Sequence, residues 1–167
     1  AHAVRVDKDD NVWQVDEGSG MVVKYNPEGQ SIFWLGRTPE AVDYLQGNLE
    51  VLHFGPAATP PAARVLHPTG RMGIFDRETD VTWDSEGNIY ITDGYINSRV
   101  AKYDKNGDWV KSWGDKGTGP GQFRIPHAIV ADRNNNIYVG DRTNRRIQVF
   151  DTEGKLLRMF TIDVPPV

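Results

Sequence analysis

An all-β fold made of repeated four-stranded units is predicted by two observations. The first is a unit that occurs three times: HAVRVDKDDNVWQVDEGSGMVVKYNPEGQSIFWLG from His2, TDVTWDSEGNIYITDGYINSRVAKYDKNGDWVKSWG from Thr79, and HAIVADRNNNIYVGDRTNRRIQVFDTEGKLLRMFTI from His127. The second is the density of turn formers, with 17 glycines and 10 prolines set between short alternating runs of apolar and polar residues. A lone four-stranded sheet cannot bury its own faces. A unit recurring at this period therefore reads as the radial blades of a β-propeller.

Each copy is read as four short strands. The first is apolar and ends at Asp7, Asp84 or Asp132, with a turn of the DSEGN type behind it. The second (VWQVD, IYITD or IYVGD) closes on Asp16, Asp93 or Asp141. After a loop comes the third strand, MVVKYN, RVAKYD or RIQVFD, and the turns PEG, KNG and TEG lead into the fourth. Gly, Asn and Asp at these points are the ordinary chemistry of hairpin turns. Trp13, Tyr90 and Tyr138 sit in second strands, where packing between blades is their expected role. Arg99 and Arg146 occupy equivalent positions and are expected to pair with Asp93 and Asp141.

The repeat divides the chain into a blade at residues 1–36, an insertion at 37–77, a blade at 78–115 and a blade at 116–167. Within the insertion, RTPEAVDYLQGNLEVL has apolar residues at roughly helical spacing (Ala41, Tyr44, Leu45, Leu49), which predicts a short helix. GPAATPPAARVLHPTG is proline-rich and predicts an irregular loop. His53 and His67 have no counterpart in the repeat and are expected at the surface. Three blades cannot close a ring. The chain is therefore expected to be a portion of a longer propeller, association with a second copy being the other route to closure.

Composition removes several classes of function. With 167 residues, 38% of them hydrophobic, a real core is available. A net charge of −4 disfavours a nucleic-acid partner, because a sequence-independent grip needs a concentrated basic face. Without cysteine there are neither disulfides nor thiolate metal sites. No apolar run approaches membrane-spanning length. No P-loop, dinucleotide fingerprint or Ser-His-Asp set occurs, and DKDDN and DSEGN lack the spacing and terminal glutamate of an EF-hand loop.

In an up-and-down blade, the start of the first strand and the loop between strands two and three lie at one end. His2, Thr79 and His127 are thus expected to share a mouth with the loops carrying Glu17, Tyr95 and Arg142. The first strand is innermost, so two imidazoles, a phenol and a guanidinium should converge on the central channel. Imidazole is a common neutral ligand for zinc, and blades bring distant ligands together. Two histidines at one repeat position, each followed by Ala and an apolar residue, favour a site over a single hydrogen-bonded strand-end histidine. Arg142 has no counterpart in the other copies and suits an oxyanion, the plain alternative being a solvated loop charge. Tyr95 is equally unmatched; a phenol near a divalent cation can serve as base or oxyanion donor, the plain alternative being packing.

The Gly-Asn turn before the aromatic strand, Asp-x-x-x-Asn-x-Arg in DGYINSR, and GPGQFRIPH ahead of the third blade resemble the NHL-repeat family of six-bladed β-propellers. The third copy has NNN in place of the Gly-Asn turn, and the first reads EGSGM where the Asn-x-Arg element should stand. Within that family, His2-Ala3-Val4, Pro126-His127, DGYINSR and DRTNRRIQ are similar to motifs of the peptidyl-α-hydroxyglycine α-amidating lyases, and the lack of cysteine suits their bacterial relatives. The resemblance implies a zinc in the channel held by histidines that open alternate blades, here His2 and His127. It also implies a catalytic tyrosine, Tyr95, an active-site arginine, Arg142, and a structural calcium held partly by a backbone carbonyl, at Val4. The implied reaction cleaves a small peptidyl-α-hydroxyglycine to a peptide amide and glyoxylate, and a secreted or periplasmic location is expected with it.

The family pattern also requires a third histidine and a second arginine, which match no position in this sequence. The isolated chain is therefore expected to be a poor enzyme unless further blades, from a longer chain or a second copy, complete the site. The alternative is a non-catalytic NHL scaffold that binds a peptide or protein partner over its mouth, with the insertion as a contact arm. A calcium-dependent, lactonase-like propeller ranks last, since only Glu17 suits its carboxylate-rich site.

Overall fold

Three antiparallel four-stranded sheets make up the computed structural model, which describes residues 1–36 and 75–162. The first contains β1 (Ala3–Val6), β2 (Val12–Asp16), β3 (Met21–Tyr25) and β4 (Ser31–Gly36). The second contains β5 (Asp80–Trp83), β6 (Ile89–Asp93), β7 (Arg99–Tyr103) and β8 (Trp109–Trp113). The third contains β9 (Pro126–Ala131), β10 (Ile137–Asp141), β11 (Arg146–Phe150) and β12 (Leu156–Thr161). Strands within each sheet follow chain order, as an up-and-down blade requires. The all-β propeller blades expected from the repeat are present. The expected helix, the proline-rich loop, His53 and His67 lie outside the described residues.

The first aspartate of each repeat builds its hairpin. Asp84 accepts bonds from the amides of Glu86 and Asn88, from the Asn88 side chain and, at 2.8 Å, from the Tyr90 hydroxyl. Asp132 takes the equivalent set, ending with Tyr138, and Asp7 ends with the Trp13 indole at 3.0 Å. The turn needs a left-handed residue, and Asp10, Gly87 and Asn135 fill it with φ of 61°, 88° and 62°. Asp and Asn tolerate that conformation, which is why the third copy dispenses with glycine here.

The second aspartate closes the far end. Asp93 accepts from the Asp76 amide, the Asn97 side chain and Arg99 Nε, while Asp141 accepts from the Arg124 amide, Asn144 and Arg146 Nε. The Asp-Asn-Arg pattern is thus a clasp that ties the segment entering a blade to the loop after its second strand.

Apolar side chains fill the two seams between blades. Trp13, Val15, Val22, Leu35, Phe75, Val81, Ile91 and Tyr103 pack the first, and Tyr90, Val100, Phe123, Ile129, Val139 and Phe150 the second. Strand alternation leaves Val4, Val6, Ile32 and Trp34 exposed on the first blade and Val130, Leu157, Met159 and Phe160 exposed on the third. Among the described residues the middle blade is flanked by a blade on each side, and every residue of β6 and β7 is buried.

Candidate active site

In the second and third blades the Asp93 and Asp141 clasps fix the loops after the second strands, and these loops meet the starts of the inner strands at one mouth. His2 and Thr79 lead into β1 and β5, His127 is the second residue of β9, Tyr95 follows β6 after Gly94, and Arg142 follows directly on β10. The amide of Tyr95 bonds to the Arg77 carbonyl and that of Arg142 to the Ile125 carbonyl, so the two loops are anchored alike. Arg77 and Ile125 adopt φ of 64° and 68° to present those carbonyls. For Ile125 this is a true outlier, since β-branched residues rarely adopt the left-handed region.

The two histidines and the tyrosine touch. Imidazole centroids of His2 and His127 are 4.7 Å apart, and each ring lies 5.7 Å from the Tyr95 ring, edge to face. The Tyr95 hydroxyl stands 3.1 Å from His127 Nε2 and 3.4 Å from His2 Nε2. His2 Nδ1 lies 2.7 Å from the Thr79 carbonyl oxygen. A carbonyl only accepts, so Nδ1 carries the proton, and the lone pair of the neutral ring sits on Nε2, toward the phenol. Burial, then the neighbouring charges of His2 and Arg142, push the His127 imidazole below its ordinary value. It is therefore neutral at pH 7.

Arg142 is exposed at the rim, within electrostatic reach of His127, as is Glu17. Val4 is exposed and lines the same cleft as His2, Arg5, Thr79, Asp80 and His127, with a volume of about 270 Å³. The five residues singled out from the sequence thus lie around one mouth.

Two imidazoles with Nε2 directed at a common point suit a borderline cation such as zinc, and the His2–Thr79 contact is the outer bond such ligands use. The donor set fits, as two of its ligands. Among the described residues no third His, Cys, Asp or Glu joins them.

Other polar groups at this end escaped the sequence reading. Arg5 Nη2 bonds Asp80 Oδ2 at 2.6 Å, and that oxygen also accepts the Ile129 amide, so Asp80 joins all three blades. Glu78, fully buried, has no hydrogen-bond partner on either carboxyl oxygen among the described residues. Burial, with the charges of Asp93, Asp16 and Glu17 adding to it, pushes its carboxyl up to about 8. The signal was a break in the repeat: the third copy has Pro126 where the second has Glu78.

A β-propeller segment with a histidine- and tyrosine-lined mouth is the class that fold and site define. A family model described as a 6-bladed beta-propeller matches residues 79–167, and the chain belongs to that family. Its relatives include amidating enzymes and NHL repeat proteins. A peptidyl-glycine alpha-amidating monooxygenase of Mus musculus is 30% identical over 160 residues, covering 92% of this chain and 14% of its own length. NHL repeat-containing protein 3 of Mus musculus is 34% identical over 86% of this chain and 36% of its own. A probable peptidyl-alpha-hydroxyglycine alpha-amidating lyase of Caenorhabditis elegans is 28% identical over 89% of this chain and 36% of its own. The chain thus spans about a third or less of these relatives. The solved structure of a streptogramin B lyase superposes with a TM-score of 0.59 at 16% identity, covering 95% of this chain and 39% of that one, which shows the shared fold.

Proposed function

We propose that this chain carries part of a zinc-dependent carbon–nitrogen lyase site that cleaves peptidyl-α-hydroxyglycine to a peptide amide and glyoxylate. The observation that carries the reading is the Tyr95 hydroxyl standing between the Nε2 atoms of His2 and His127. His2 and His127 would hold the zinc, which supplies a Lewis acid that makes the substrate hydroxyl more acidic. Tyr95, beside that point, would act as the phenolate, its own proton having passed to solvent, and take the hydroxyl proton. The carbon–oxygen bond becomes the aldehyde of glyoxylate as the carbon–nitrogen bond breaks. The proton then passes to the departing nitrogen, which completes the amide. Arg142, at the rim, offers a guanidinium to the substrate carboxylate and to negative charge developing as the bond breaks. The Val4 carbonyl, in the same cleft, is assigned to a structural calcium. The remaining ligands and blades would come from a longer chain or a second copy.

One observation favours a second reading. The described residues offer only two histidines and no third ligand, which suits a scaffold that binds a peptide over the same mouth without cleaving it. The test is glyoxylate release from a peptidyl-α-hydroxyglycine by the zinc-loaded chain, with Y95F beside it. Slow, zinc-dependent release that Y95F loses by about 100-fold or more, at unchanged zinc content, is expected for a lost proton-transfer group. No zinc-dependent release from the wild type, with the peptide still bound, would favour the scaffold.

A further inference from the structure

Thr79 occupies the repeat position that holds histidine in the other two blades, and it is fully buried. Its carbonyl receives His2 Nδ1 at 2.7 Å. Its hydroxyl lies 2.8 Å from the carbonyl oxygen of Pro126, the residue before His127, and 2.8 Å from the Thr92 hydroxyl. One hydroxyl has one proton: given to the Pro126 oxygen at 2.8 Å rather than to the Thr92 carbonyl at 3.1 Å, it leaves Thr79 Oγ1 as acceptor for the Thr92 hydroxyl. Gly94, the residue before Tyr95, closes over the same contact. A Cβ there would lie 2.0 Å from the Pro126 oxygen and 3.0 Å from Thr79 Oγ1, so no side chain is tolerated. One threonine therefore adjoins the supports of all three site residues.

We infer that Thr79 is the positioning residue of the mouth: its carbonyl fixes the proton and ring orientation of His2, and its hydroxyl pins the backbone from which His127 projects. The inference rests on reading His2 and His127 as a ligand pair. Thr79 itself touches no reacting atom. The carbonyl survives any substitution, whereas the hydroxyl does not, so the hydroxyl is the part a variant can remove. Its loss leaves the Pro126 carbonyl without this donor in a buried seam and frees the start of β9 to shift. Outer groups that hold metal-bound histidines change affinity by about 10- to 100-fold when removed.

A control is available three residues further on, in β5. Thr82 Oγ1 accepts the Ala131 amide at 3.1 Å, a similar side-chain-to-backbone link between the second and third blades that touches neither histidine. The experiment compares Thr79→Val, Thr79→Ser and Thr82→Val by nitrogen-15 signals of the imidazoles and by titration with cobalt(II). Thr79→Val is expected to move the His127 signals and weaken cobalt binding by about 10-fold or more, with Thr79→Ser restoring both and Thr82→Val moving neither. If Thr79→Val does not fold, Thr92→Val serves instead, because it removes the hydroxyl that orients Thr79 and is expected to move the same signals. Equal effects of Thr79→Val and Thr82→Val, or failure of serine to rescue, would overturn the inference. A wild-type chain that takes up no cobalt would sink the metal reading, while the nitrogen-15 signals alone still decide the role of Thr79.

Discussion

The Tyr95 hydroxyl lies 3.1 Å from Nε2 of His127, a residue 32 positions further along the chain and one blade away. Nothing local brings them together. Tyr95 is held by the Asp93–Asn97–Arg99 clasp of the second blade, and His127 by the start of β9 in the third. The contact therefore reports how blades are stacked, and it is sensitive to charge at the rim.

Arg142 is expected to tune His127. Burial first, then the charges of His2 and Arg142, keep the imidazole below its ordinary value. The folded protein thus disfavours a proton that the unfolded chain accepts near the ordinary histidine value. The associated stability is present above that value and is lost as pH falls through the folded one. Arg142→Ala should shift the His127 titration upward, as followed by proton NMR of the imidazole. An unchanged titration would remove Arg142 from the mouth.

Glu78 sets an opposite dependence. Its carboxyl, raised from 4.5 to about 8 chiefly by burial, keeps a proton that the unfolded chain releases. Stability from this group is complete below about pH 4.5 and declines as pH rises to about 8. The loss is on the order of a few kcal/mol. Urea midpoints at the two ends of that window should fall with pH in the wild type and stay level in Glu78→Gln. A wild-type midpoint that does not fall would show that Glu78 has a partner.

Two arginines four residues apart should separate structure from site. Arg146 is buried, pairs with Asp141 at 2.8 Å and donates to the carbonyls of Thr118, Gly119 and Gln122. Arg146→Ala leaves the Asp141 carboxylate buried without its cation and should cost about 3–5 kcal/mol in chemical denaturation. Arg142→Ala, at an exposed position, should change stability by less than about 0.5 kcal/mol. Comparable losses in both would contradict this division of roles.

The blades were legible because each aspartate finds most of its side-chain partners within a few residues, although Asp93 and Asp141 also accept an amide 17 residues away. The Asp84 set ends at Tyr90 and the Asp93 set at Arg99, so the pattern shows in any one copy. The mouth was legible only by comparing copies, which placed His2, His127, Tyr95 and Arg142 at equivalent ends. Thr79 was placed at the mouth by the same comparison, but its supporting role stayed hidden because its bonds run to two other blades and no spacing in sequence encodes them. Glu78 and the Arg5–Asp80 pair were missed for the same reason: their burial and pairing arise from stacking between sheets.

The central claim is that His2 and His127 are zinc ligands, and elemental analysis tests it most directly. Zinc per chain would be measured on protein purified without chelators, with His127→Ala prepared in parallel. Stoichiometric zinc in the wild type, lost in the variant, is the expected result. A wild-type chain without zinc, or a variant that retains it in full, would contradict the account.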